Sequence, residues 1–284
     1  MALTAVLFPG QGSQTKDMRT QVEALRPDLL ERACEQAGDD PFERAGEGTR
    51  WAQPAIFCAA LAGWERLRPE LEPGLMAGHS LGEIGALVAA GALSEADGLR
   101  LVVARGRLMQ EAASLGGGML AALGGERAAV EQIAARHGLT VANDNAPGQL
   151  VLSGAEEGLG PASEELESRG VRARRLAVKG AFHSPAVESA VEPFRVVLES
   201  VELRPPRVPV ISCVTAEPFG DARDLLARAI TSPVRWADVM RAAERRGVRR
   251  FVETGPGRVL TGLVRRTLEG VEAEALRPLE PARV

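Results

Sequence analysis

This sequence predicts an α/β fold with two unlike parts, and three observations carry the prediction. Short apolar runs at 5–8 and 75–77 each end in a glycine-bearing turn and lead toward segments with helical spacing, the alternation of a parallel sheet flanked by helices. A βαββαβ order interrupts that alternation between residues 118 and 179. Gly78-His79-Ser80-Leu81-Gly82 falls between a strand and an Ala-rich helix, a place where a strained turn lifts a serine hydroxyl clear of the backbone. The expected architecture is a large α/β-hydrolase-like domain with a parallel sheet core, residues 1–117 and 180–284, carrying an inserted ferredoxin-like subdomain, residues 118–179.

The run 5–8 feeds Pro9-Gly10-Gln11-Gly12-Ser13-Gln14, so a buried strand opens into a glycine-rich loop. The loop lacks the third glycine and downstream acid of a dinucleotide fingerprint and the Gly-Lys-Ser/Thr of a phosphate loop. Two readings remain: a plain tight turn, or a backbone N–H near Gln11 facing the Ser80 turn across the carboxyl edge of the sheet. Helical spacing runs over 16–38, a charged loop over 39–50, and a helix from Gln53-Pro54 to 67, with proline in its first turn. After the Ser80 helix, Ser94 and Asp97 start a helix expected over 94–109, with Arg105 on it. The run 114–118 reads as a flexible joint.

Beyond the joint the expected elements are a strand at 119–123, a helix at 126–136, strands at 141–145 and 149–153, a helix at 161–168 and a strand at 171–178. The large part resumes with Ala181-Phe182-His183-Ser184-Pro185, a helix to 200, a strand at 208–214, helices at 225–230 and 232–246, a strand at 248–253 and a last helix at 259–268. From Gly270 onward the Glu- and Pro-bearing sequence reads as a loose tail.

Composition narrows the function. A net charge of -4 leaves no basic excess to neutralise phosphates, which argues against a nucleic-acid binder. Cys34, Cys58 and Cys213 lie far apart without metal-ligand spacing and read as buried reduced thiols, so no metal is expected. The start of the chain lacks a basic n-region before Pro9-Gly10, and no apolar run is long enough for a membrane span; a cytoplasmic protein with no membrane partner is expected.

A serine nucleophile needs a base within hydrogen-bond reach, because a free hydroxyl is scarcely ionised at neutral pH. Of the three histidines, His79 precedes Ser80 and should project to the opposite side, and His137 precedes Gly138 at a helix end, where it reads as a cap. His183 is left, in a non-helical segment at the return to the large domain. An α/β-hydrolase triad in chain order Ser, acid, late His does not fit, since no histidine follows His183. A Ser-His dyad suffices if a backbone group holds the imidazole tautomer. An arginine on the helix after the nucleophile could pair with a substrate carboxylate through its planar fork; periodicity alone leaves Arg105 and Arg107 equal candidates, or both solvated.

Taken in order, Phe8-Pro9-Gly10-Gln11-Gly12-Ser13-Gln14, Gln53-Pro54-Ala55, Gly78-His79-Ser80-Leu81-Gly82-Glu83, Arg105-Gly106-x-Leu108-Met109-Gln110, Asn143-x-Asn145-x-Pro147-x-Gln149-x-Val151-x-Ser153-Gly154, Ala181-Phe182-His183-Ser184 and Glu253-Thr254-Gly255-Pro256-Gly257 resemble the malonyl-CoA:acyl carrier protein transacylases. The resemblance covers residues 3–268. It implies Ser80 as acylated nucleophile, His183 as its base, the backbone N–H groups of Gln11 and Leu81 as oxyanion hole, and Arg105 as holder of the malonyl carboxylate. It further implies that Phe182 crowds the α-carbon and favours malonyl over methylmalonyl. One departure is Ala229, where the family often has Gln and uses the backbone carbonyl to orient the histidine. Implied partners are malonyl-CoA and an acyl carrier protein, with coenzyme A and phosphopantetheine thioesters as substrates, no further cofactor and a monomeric enzyme. Arg172, Arg174, Arg175 and Lys179 are candidates to receive an acidic carrier protein, against a plain reading as a solvated strand face. The competing functions are a serine hydrolase, a carrier-protein-binding module without activity, and a free-standing acyltransferase that loads a polyketide carrier rather than one of fatty-acid synthesis.

Overall fold

A computed structural model describes residues 3–113 and 116–279 of the chain. Its first sheet has five parallel strands: β1 (Leu3–Phe8), β2 (Leu75–Gly78), β7 (Val210–Ile211), β8 (Val248–Glu253) and β9 (Glu272–Ala275), in the order β7-β2-β1-β8-β9. Both faces of β1 are covered, which explains its unbroken apolar run. Val6 and Phe8 point into one core with Phe57, Ile84 and Leu87, while Ala5 and Leu7 point into another with Trp236, Met240 and Val264.

The second sheet is antiparallel and consists of β3 (Gly118–Leu123), β4 (Leu139–Ala146), β5 (Gln149–Gly154) and β6 (Arg172–Arg175), in the order β4-β5-β3-β6. Helices Arg127–Arg136 and Glu156–Ser168 cover one face, where Leu120, Leu152, Ile133 and Leu166 form a small core. Met119, Ala121 and Val151 on the other face join the core of the first sheet. The chain is thus an α/β fold with one parallel and one antiparallel sheet.

Several boundaries differ from expectation for local reasons. The segment 16–38 is two helices, Met18–Leu25 and Pro27–Ala37, because Pro27 starts the second and ends the first. Helix Thr49–Leu67 begins before Pro54, which lies inside it. Helix Glu95–Ala113 runs past Met109 with Ala112 and Ala113 still buried. The strand expected at 208–214 is the short β7, and the supposed tail contains β9, an edge strand whose Ala273 packs on the core. Ser114, Leu115 and residues 280–284, parts of the expected joint and tail, lie outside the described residues.

Candidate active site

β1 and β2 run side by side with Phe8 opposite Gly78, so the loops carrying Gln11 and Ser80 leave the sheet at the same level. That carboxyl edge is where open parallel sheets place their sites. The turn after β2 is closed by packing too tight for side chains. A Cβ on Gly78 would lie 2.0 Å from the Gly82 backbone, and one on Gly82 would lie 2.1 Å from the Phe8 carbonyl oxygen. Ser80, at the apex, has φ +54°, a left-handed conformation that a non-glycine residue keeps only when its surroundings dictate it. Helix Gly82–Ala89 starts directly after, so the positive end of its dipole lies at Ser80.

Three sequence-predicted residues meet here. Ser80 Oγ and His183 Nε2 are 2.9 Å apart. His183 Nδ1–H donates to the Ala229 carbonyl at 2.9 Å and the Ser232 carbonyl at 3.2 Å. Two carbonyl acceptors at Nδ1 fix the proton there, so Nε2 is the acceptor facing the serine hydroxyl. The Ala229 side chain is not used, which removes the force of its departure from glutamine. Burial pushes the His183 pKa down to about 3, with the charges of Arg105 and His79 adding to it and the two carbonyls opposing. The imidazole is neutral at physiological pH and free to take a proton.

Arg105 is buried, and its Nη2–H donates to Ser80 Oγ at 3.2 Å. Arg107, the equal candidate by periodicity, pairs with Glu111 on the exposed face instead. Among the described residues no carboxylate lies within ion-pair distance of Arg105; Glu83, also fully buried, acts on it only through its field. Burial lowers the Arg105 pKa to about 10, which still leaves it charged at neutral pH. A desolvated guanidinium beside a serine hydroxyl has the chemistry to pair with a carboxylate carried on an acyl group.

Sequence reasoning gave no role to Gln53, whose Oε1 accepts from Arg105 Nη1 at 2.9 Å while its Nε2 donates to Thr49 Oγ1 at 2.9 Å. The available signal was a lone amide within the otherwise apolar run 51–64 of that helix, since a buried polar side chain needs partners. The N–H groups of Gln11 and Leu81 have no acceptor among the described residues, so both are free to meet an oxyanion.

Phe182 is buried in the main core beside Gly180. His79 donates from Nε2 to Asn145 Oδ1 at 2.8 Å and packs on Trp236, tying the Ser80 turn to β4. His137 is the C-cap of its helix, with Nε2 at 2.8 Å from Glu165. Of the basic cluster, Arg175 pairs with Glu156, while Arg172, Arg174 and Lys179 are exposed. Cys58 and Cys213 are buried free thiols, but Cys34 is only half-buried. Among the described residues no group of side chains could hold a metal, and no helix is long and apolar enough to cross a membrane.

The acyl transferase domain family matches residues 39–281. The polyketide biosynthesis protein ThaF of Burkholderia thailandensis is 41% identical over 98% of this chain, which spans only 26% of that relative's length. The malonyl CoA-acyl carrier protein transacylase of Salmonella typhimurium is 36% identical over 99% of this chain and 97% of its own. The solved structure PlMCAT:AntF, a type II PKS acyl-carrier protein in complex with its malonyl-transacylase, matches with TM-score 0.91 and 32% identity, covering 98% of this chain and 97% of that one. With likeness of this extent in both sequence and structure, this chain belongs to the acyl transferases, in the malonyl CoA-acyl carrier protein transacylase family.

Proposed function

We propose that the chain moves a malonyl group from malonyl-CoA, through an ester on Ser80, to the phosphopantetheine thiol of an acyl carrier protein. The observation that carries this reading is Arg105, a buried guanidinium without a carboxylate partner among the described residues, 3.2 Å from Ser80 Oγ. A plain serine hydrolase has no use for it.

The reaction has two halves. Ser80 Oγ gives its proton to His183 Nε2 and attacks the thioester carbon, while the oxyanion is met by the Gln11 and Leu81 N–H groups. A donor of that kind is worth roughly 3 kcal/mol. The C–S bond breaks and coenzyme A leaves with the proton from His183. The carrier's thiol then yields its proton to the same nitrogen, attacks the ester and restores Ser80. Arg105 pairs with the malonyl carboxylate throughout, and Phe182 limits what fits at the α-carbon. No cofactor beyond the thioester donor and the thiol acceptor enters these steps.

We place these steps in fatty-acid synthesis in the cytoplasm, on a hydrolase-like domain of residues 1–117 and 180–284 with a ferredoxin-like insert of residues 118–179. The β4-β5-β3-β6 order within a βαββαβ unit supports the insert. A second reading, loading of a polyketide carrier, is favoured by the 41% identity to ThaF. Incubation with malonyl-CoA and each class of carrier protein tests both. Transfer well in excess of hydrolysis is expected, and the preferred carrier decides between them. Hydrolysis outrunning transfer with every carrier would contradict the proposal.

A further inference from the structure

β7 pairs with β2 through Met76 opposite Val210 and Ala77 opposite Ile211, so the chain leaving β7 at Ser212-Cys213 runs beside the turn leaving β2. Cys213 reaches both ends of that turn. Its Sγ–H donates to the Gly78 carbonyl at 3.1 Å, and its N–H donates to Glu83 Oε1 at 2.7 Å. Gly78 is the last residue of β2 and Glu83 lies in the first turn of the following helix. The Ser80 N–H stands near enough to the sulfur to favour its thiolate, though burial holds the thiol well above its ordinary pKa and so unreactive. Cys213 is also bonded to the segment that follows the carbonyls orienting the base. Its carbonyl accepts the Arg235 N–H at 3.0 Å, three residues beyond Ser232, whose own carbonyl accepts from His183 Nδ1.

We propose that Cys213 is a positioning residue for acyl transfer: it clamps the turn on either side of Ser80 and ties that turn to the segment that orients His183. A left-handed serine keeps its conformation only where neighbours over-determine it, and the bonds of Cys213 to the strand end and the helix start supply that constraint. Misplacement of a reacting group by a fraction of an ångström to one ångström lowers rates steeply, up to about 100-fold. The role is geometric, and it rests on the reading of Ser80 as the acyl acceptor.

Serine at position 213 keeps a donor for the Gly78 carbonyl, whereas alanine and valine do not, and valine leaves no cavity. The acylation rate with malonyl-CoA, KM and melting temperature are measured for Cys213→Ser, Cys213→Ala and Cys213→Val. The serine variant is expected within about threefold of the parent, and the other two slower by about tenfold or more with KM unchanged, consistent with lost orientation. Equal rates in all variants, a loss confined to KM, or a loss that serine shares with alanine and valine would overturn the role. If alanine gives no folded protein, the valine–serine comparison decides alone. A parent enzyme that is never acylated by malonyl-CoA contradicts the proposed function instead, so the two failures are distinguishable.

Discussion

His183 Nδ1 donates to the main-chain carbonyl of Ala229 at 2.9 Å, so the imidazole is held by backbone where many serine acyl enzymes use a carboxylate. Only the carbonyl is engaged. Ala229→Ser should therefore keep activity within about threefold, while His183→Ala should slow acylation by at least about 10²-fold, the lower end of acid–base contributions. The pKa of about 3 adds a pH test: kcat/KM should not fall between pH 7 and pH 5, where an ordinary histidine would become protonated. A limb centred near pH 6.5 would show that the base is not held as described.

In the proposed function, Arg105 is what separates this site from a generic serine acylase. Removing one member of a buried charge pair costs about 2–5 kcal/mol, or roughly 30-fold to several thousand-fold. Arg105→Ala should lose kcat/KM for malonyl-CoA by that order while acetyl-CoA turnover holds or rises, since acetyl no longer strands a desolvated guanidinium. Steady-state kinetics with both substrates checks this, and equal losses would make Arg105 structural.

Phe182 adjoins His183 and is buried, which motivates its role in excluding an α-methyl group. A hydrophobic contact of this size discriminates by about 1–3 kcal/mol. Phe182→Ser should raise the methylmalonyl to malonyl kcat/KM ratio by roughly tenfold, and an unchanged ratio would reject the role.

Glu83 provides a stability test. Burial raises its pKa to about 7, against the opposing pull of the Cys213 N–H, Arg105 and Ser212. The native carboxyl therefore holds its proton to higher pH than the unfolded one, whose pKa is near 4.5. The stability it contributes is fully present below pH 4.5 and is lost as pH rises through about 7. Glu83→Gln cannot ionise and should be the more stable protein at pH 8, by an amount on the order of 3 kcal/mol, with the gap closing toward pH 5. Thermal melts of both proteins at the two pH values measure it. A gap independent of pH would contradict the raised pKa.

What was legible in the sequence was local. The turn around Ser80 is written in Gly78 and Gly82, whose missing side chains are required by contacts of 2.0 and 2.1 Å. His183 was reachable because the chain has only three histidines and position disfavours two. Arg105 was not separable from Arg107 by periodicity, because which face of a helix looks into a cleft is set by tertiary packing; the family resemblance chose between them. Gln53 and Cys213 act through partners far away in the chain, and no spacing encodes such pairs. The β9 strand was missed for a related reason: Glu272 and Glu274 alternate outward on an edge, leaving a polar pattern that reads as a tail.

The central claim is that Ser80 carries the acyl group. Brief incubation with malonyl-CoA, proteolysis and peptide mass spectrometry test it directly. The account predicts one malonyl group, on the peptide containing Ser80, and none in Ser80→Ala. A malonyl group at another residue, or undiminished labelling of Ser80→Ala, would contradict it.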